Sequence, residues 1–202
     1  MVKTFLILIS LQIFLYSSEQ IILVVSDSFN SQKATLSCFE DGKKVFKTFE
    51  VNVAVNGLGW GLGKAELSQG TLEPLKYEGD RKAPSGIFNL THIFGYEKEK
   101  GYKMPYLHAT KELICVDDSN SNYYNQIIHI DVEKPNSFEY MKRDDKQYEL
   151  GIVVAHNEAQ IKRRGSCIFI HVEKSKEAPT AGCTSMTLKN LKKIVNYNGS
   201  SC

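Results

Sequence analysis

From Ile21 onward, apolar residues come in short runs rich in β-branched and aromatic side chains, separated by turn residues at intervals typical of an all-β domain. Strands are expected over Ile21 to Ser26, Ala34 to Glu40, Lys44 to Asn56, Ile87 to Phe94, Ile127 to Val132, Gly151 to Ala155 and Cys167 to Val172. Asp41-Gly42 suits the positive backbone angles of a tight hairpin turn between the second and third of these. Gly57 to Gly63 reads GLGWGLG; its spacing fits neither G-x-G-x-x-G nor a P-loop, and it is expected to be a flexible loop. Leu67 to Tyr77 also reads as loop, and Ser137 to Lys142 as a helical turn. Near the end the period changes: after Thr187, a suitable N-cap, Leu188, Leu191, Ile194 and Val195 recur at helical spacing and predict one amphipathic helix. The fold class is therefore mainly β with few helices, and no internal repeat or long linker divides it.

The first 20 residues break this pattern. Lys3 precedes a mostly apolar run from Phe5 to Tyr16, followed by Ser17, Ser18 and Glu19. That is the layout of a secretory signal, assigned to residues 1–18, and the run is short of the roughly 20 residues a spanning helix needs. An uncleaved anchor is the alternative and is the one route to membrane association. Both readings put the remainder, residues 21–198, in an oxidising compartment of the cell envelope or periplasm. Five cysteines follow, Cys38, Cys115, Cys167, Cys183 and Cys202, so at least one lacks a partner within the chain. A formal charge of +2 is too small for a domain that grips a polyanion by its overall field, so nucleic acid is not an expected partner.

The chemistry concentrates in Gly165 to Ser185, GSCIFIHVEKSKEAPTAGCTS. A strand carries His171, and the eleven residues between it and Cys183 are enough for the chain to return and set the thiol against the imidazole. A free thiol near pKa 8.5 is mostly protonated at neutral pH, so a neighbouring base raises its reactive fraction. Gly182 leaves room beside the sulfur, and backbone N–H groups of Gly182 and Cys183 are candidate donors to an oxyanion. The competing reading makes Cys183 half of a disulfide and His171 a buried strand residue; spacing alone does not separate the two.

The surrounding motifs do more. Gly165, Ser166 and Ile168 to His171, followed by Pro179 to Cys183 as Pro-Thr-x-Gly-Cys, resemble one branch of the L,D-transpeptidase catalytic domain family, the YkuD-like cysteine enzymes that act on peptidoglycan. Upstream, Glu78-Gly79-Asp80 with Pro84-Ser85-Gly86-Ile87-Phe88, then Asp117-Asp118 with Ser121, Tyr123, Tyr124 and Asn125, then Gly151 to Asn157, resemble further family blocks in the same order, roughly from Ile21 to Val195. The resemblance implies a YkuD-like β-sandwich or barrel, Cys183 as nucleophile, His171 as base oriented by a backbone carbonyl, and no cofactor. It implies acyl transfer from a peptidoglycan stem tetrapeptide through a thioester. The alternatives are an L,D-carboxypeptidase that trims tetrapeptide stems and a wall-binding module without turnover. Many members carry Ser-His-Gly-Cys where this chain has Thr180-Ala181-Gly182-Cys183, so a second histidine is missing. Thr180, Thr184, His156, Asn157 and Arg81 are candidate substrate contacts. His129, Asp131 and Glu133 alternate along an expected strand, but without a metal-binding motif they read as a solvated face. With Cys183 set aside, the other four cysteines allow three pairings, and the sequence does not choose among them.

Overall fold

The computed structural model describes residues 18–64, 72–98 and 101–198. The leader expected at residues 1–18 therefore lies almost wholly outside the described residues, as do Cys202 and the start of the loop expected over Leu67 to Tyr77. The described chain is built on β1 (Gln20–Val25), β2 (Lys33–Glu40), β3 (Lys43–Lys44), β4 (Phe49–Asn52), β5 (Leu58–Trp60), β6 (Ala83–Ser85) and β7 (Leu90–Gly95). It continues through β8 (Tyr106–His108), β9 (Leu113–Val116), β10 (Ile127–His129), β11 (Phe138–Tyr140), β12 (Leu150–Val154), β13 (Phe169–Val172), β14 (Thr184–Met186) and α1 (Leu188–Asn198). The mainly β fold with one C-terminal helix is as expected.

A nine-stranded sheet in the order β1-β2-β4-β14-β13-β12-β7-β8, with β3 also on β2, curls into a half-barrel. Because successive side chains in a strand point to opposite faces, alternate residues of the central strands feed two separate cores. Ile152 and Ile170 face one core, where Leu191, Ile194 and Val195 of α1 cover Leu36, Val51 and Met186. Phe169 faces the other with Val153 packed against it, and this second core is closed by Leu113 and Cys115 of the small sheet β10-β9-β11 and by Met141 just past it. The helix begins where expected: Thr187 Oγ1 accepts the Asn190 N–H at 3.2 Å, an N-cap bond.

Three local expectations change. The hairpin turn forms at Asp41 and Gly42, with φ of 47° and 75°, but its return strand splits into β3 and β4. Val45 to Thr48 form a bulge there, with Val45 and Phe46 packed on the helix-covered core and the hydroxyls of Ser37 and Thr48 bonded at 2.7 Å. GLGWGLG is not a flexible loop: Leu58 to Trp60 pair with β6 in parallel. Its glycines serve close approach, since a Cβ on Gly61 would lie 2.7 Å from Pro84 Cβ and 2.8 Å from His156 Nδ1. Ser137 to Lys142 is not a helical turn; Phe138 and Tyr140, both good strand formers, belong to β11 on the edge of β9.

Gly151 links the fold to the second core. It pairs with Phe94 on one side and His171 on the other, and a Cβ on it would lie 2.2 Å from Phe94 Cζ. Phe94 is fully buried, with ring centroids 5.2 Å from Phe169 and 5.7 Å from Tyr148. Gly151→Ala is therefore expected to lower stability by about 1–3 kcal/mol through overpacking. Urea denaturation measures this, and an unchanged midpoint would contradict the packing described.

Candidate active site

The site is created by the parallel pairing of β13 with β14, in which Ile170 faces Thr184 and His171 faces Ser185. Ile170 points into the helix-covered core, so the alternating residues Phe169 and His171 point into the other face, and so does Cys183 just ahead of β14. Phe169 N–H donates to Cys183 Sγ at 3.3 Å, and the Sγ–H donates to Cys167 carbonyl oxygen at 3.6 Å. Cys183 and His171 are thus diagonal neighbours on adjacent strands. Such neighbours are roughly 7–8 Å apart at the backbone, which side chains of this length can span.

The imidazole is oriented by the main chain. His171 Nδ1–H donates to the Val172 carbonyl at 2.8 Å, which leaves Nε2 as the ring atom with a free lone pair. Its ring packs edge to face on Tyr148, centroids 5.2 Å apart. Cys183 is 8% exposed and His171 4%. Burial acts on both: it pushes the thiol up to about 12, reinforced by the negative charge of Glu139, and the imidazole down to about 4. At neutral pH burial therefore favours the thiol and the neutral imidazole over their charged forms.

Among the described residues Cys183 is a free thiol and a disulfide joins Cys115 to Cys167, so Cys183 is not half of that bond. Cys167, whose carbonyl faces the sulfur, is fixed from several sides. The disulfide ties it to β9, its N–H donates to Asn125 Oδ1 at 3.0 Å, and its φ is 54°. Asn125 also donates from Nδ2 to the carbonyls of His156 and Asn157, at 2.8 and 2.9 Å.

The loop before Cys183 is pinned to the chain after β4: Thr180 N–H donates to Val53 carbonyl and Val55 N–H to Thr180 carbonyl, at 3.0 and 2.9 Å. Thr180 Oγ1 donates to Cys183 carbonyl at 2.6 Å and accepts the Gly182 N–H at 3.3 Å. Thr180 is accordingly a brace for the turn at Cys183, and Gly182 N–H, one of the expected oxyanion donors, is turned toward it. A Cβ on Gly182 would meet nothing closer than 3.5 Å, so internal packing does not demand glycine there.

A family model described as the YkuD L,D-transpeptidase catalytic domain matches residues 20–198. The chain belongs to this family. No match was found among curated proteins or among solved structures. In this YkuD chain the motif blocks outside the Cys–His pair hold the frame. Glu78 Oε2 accepts both the Tyr124 hydroxyl and the Ser166 hydroxyl, the latter at 2.6 Å. Asp80 accepts Lys76 Nζ at 2.6 Å and the N–H groups of Tyr77 and Lys82. Asp118 accepts N–H groups of Asn120 and Asn136.

The remaining candidates are placed as follows. His156 is 2% exposed with both ring nitrogens engaged: Nδ1 accepts Leu62 N–H at 3.2 Å and Nε2–H donates to Arg164 carbonyl at 2.9 Å. Asn157 is spent on Ile161 and Gly165. Both are loop braces. Thr184 shares its face with Ile170, away from the sulfur, and Arg81 is an exposed turn residue with φ of 57°. β10 ends at His129, so Asp131 and Glu133 do not extend its face. Missed by sequence reasoning were Tyr148 and Glu139, which form a hydrogen bond beside the site. The signal for Tyr148 was its place just ahead of the expected Gly151 strand.

The two buried histidines make stability pH-dependent. Burial holds both near 4 when folded, against about 6.5 when free, so the unfolded chain binds more protons between these values. Their contribution is complete above about pH 6.5 and is lost as pH falls toward 4. The expected loss is about 2 kcal/mol per histidine by pH 5. Urea midpoints at pH 7.5 and pH 5 test this; equal midpoints would contradict neutral burial.

Proposed function

We propose that this protein is an exported L,D-transpeptidase that rebuilds peptide bonds in peptidoglycan, with Cys183 as nucleophile and His171 as general base. The observation that carries the reading is an unpaired thiol on the same sheet face as an imidazole whose Nδ1–H is committed to Val172. Family membership supplies the reaction class. Export rests on the sequence of residues 1–18 and accords with the Cys115–Cys167 disulfide, a bond that persists in oxidising compartments.

Sγ attacks the carbonyl carbon of the bond ahead of the terminal D-residue of a stem tetrapeptide as Nε2 takes its proton. The C–N bond then breaks, Nε2 returns the proton to the departing amine, and the acyl group remains as a thioester. With the thiol near 12, only about one molecule in 10⁵ would hold a free thiolate at pH 7. Proton transfer must therefore accompany attack, which is why the fixed imidazole is required. Cys183 N–H, with Gly182 N–H released from Thr180, is the donor set for the oxyanion. An amine on a second stem takes the acyl group, the C–S bond breaks, and the sulfur is reprotonated.

Cys183→Ala is expected to keep the fold and to lower formation of stem-to-stem dimers from muropeptides by more than about a thousandfold. Mass spectrometry of products with circular dichroism of the variant makes the check. Activity retained in folded Cys183→Ala would reject the nucleophile; wild-type product consisting of tripeptide alone would indicate trimming instead.

A further inference from the structure

A carboxyl group stands where it hinders the first half of this reaction. Glu139 lies on β11 in register with Cys115, whose disulfide partner Cys167 turns its carbonyl to Cys183 Sγ. Met141, two residues on, and Cys115 both face the second core, so Glu139 points into the same space between the sheets. A second route reaches the same place: the Tyr148 hydroxyl donates to Glu139 Oε2, the Tyr148 ring packs 5.2 Å from His171 and 5.4 Å from Phe169, and Phe169 N–H touches the sulfur. Burial, assisted by Asp117, raises the Glu139 carboxyl above the ordinary range.

Asp117 continues the alternation of β9 one step past its end, on the Cys115 face, and its Oδ1 is sealed from solvent with no hydrogen-bond partner. Arg143, whose charge reaches Glu139, is forked onto Asp145 at 2.6 to 3.2 Å and lies over the Tyr148 ring. Lys76 is committed to Asp80 at 2.6 Å. Glu139 as a whole is half-buried, with its carboxyl at the buried end. Negative charge beside a sulfur that must itself become negative opposes acylation. It assists only a step in which a cation enters.

We propose that Glu139, supported by Tyr148 and Asp117, selects a protonated amine as the acceptor of the acyl group on Cys183. This deepens the transpeptidase reading and rests on it. The arriving ammonium gives a proton to the Glu139 carboxylate, and the freed nitrogen lone pair attacks the thioester carbonyl. The C–N bond forms and the C–S bond breaks. The sulfur leaves with its electron pair and takes, through His171, the second proton that nitrogen sheds, and Glu139 returns its own proton to solvent. Water carries no positive charge and is not drawn to the carboxylate as an ammonium is, so the charge of Glu139 favours transfer over hydrolysis.

The test uses the mature protein, a stem tetrapeptide as donor, and two acceptors at neutral pH: an alkylamine, which arrives as an ammonium, and hydroxylamine, which arrives uncharged. In Glu139→Gln, acylation of Cys183 is expected to proceed at least as fast as in wild type. Transfer to the alkylamine relative to hydrolysis should fall tenfold or more, with transfer to hydroxylamine little changed. Tyr148→Phe, which keeps the ring and removes the hydroxyl, should lower the same ratio in the same direction and serves if Glu139→Gln does not fold. An unchanged ratio, or an equal fall for both acceptors, overturns the proposal while leaving the nucleophile intact. Wild type that never acylates on Cys183 overturns the transpeptidase reading itself.

Discussion

The parallel contact between β13 and β14 is the constraint on which the site depends. Parallel neighbours cannot be joined by a tight turn, so the chain must leave the sheet after Val172 and return. The returning loop is fastened to the strand region after β4 through Thr180 before it reaches Cys183. A slip of one residue in this register would send either the thiol or the imidazole to the helix-covered core. Two devices resist that slip: Phe169 N–H on the sulfur, and the immobilised Cys167 whose carbonyl receives the thiol proton. The disulfide thus acts at a distance from its own chemistry, by holding the small sheet against the strand that carries His171.

Burial then sets the chemistry. The same packing that makes Phe94, Tyr148 and Phe169 a close aromatic cluster removes water from Cys183 and His171, and each loses the stabilisation its charged form would enjoy. A buried thiolate and imidazolium are both costly, so burial favours an uncharged resting pair. The Val172 carbonyl orients the imidazole and fixes which ring nitrogen is free. Glu139 enters the same space as a carboxyl, and under the proposal above it opposes the first half-reaction and assists the second.

Much of this was legible in the chain because it is written in local signals. Thr187 before a 3.6-residue period, Asp41-Gly42 between alternating runs, and the order of motif blocks each depend on near neighbours. Other features depend on what lies across the fold. Leu113 to Val116 is a short continuous apolar run that could have been read as a buried strand, but its pairing with Phe138 to Tyr140 involves residues over twenty positions away. The glycines of GLGWGLG suggest looseness until the side chains of Pro84 and His156 are seen against Gly61. His156 uses both ring nitrogens on loop backbone and also lines a cavity with Cys167 and Phe169, a double part that strand-end position alone does not reveal. The choice of Cys115 as partner for Cys167 follows from β9 lying against β13, which no spacing reveals.

The central claim, that the sulfur and the imidazole rest neutral with the proton on Nδ1, is open to direct measurement. Nitrogen-15 NMR of the protein labelled at histidine, titrated between pH 5 and 8, reports the protonation and tautomer of His171. The account predicts a neutral ring protonated at Nδ1 throughout that interval, unchanged by Cys183→Ala. An imidazolium signal at pH 7 that disappears when the thiol is removed would instead reveal a standing thiolate–imidazolium pair and contradict the account.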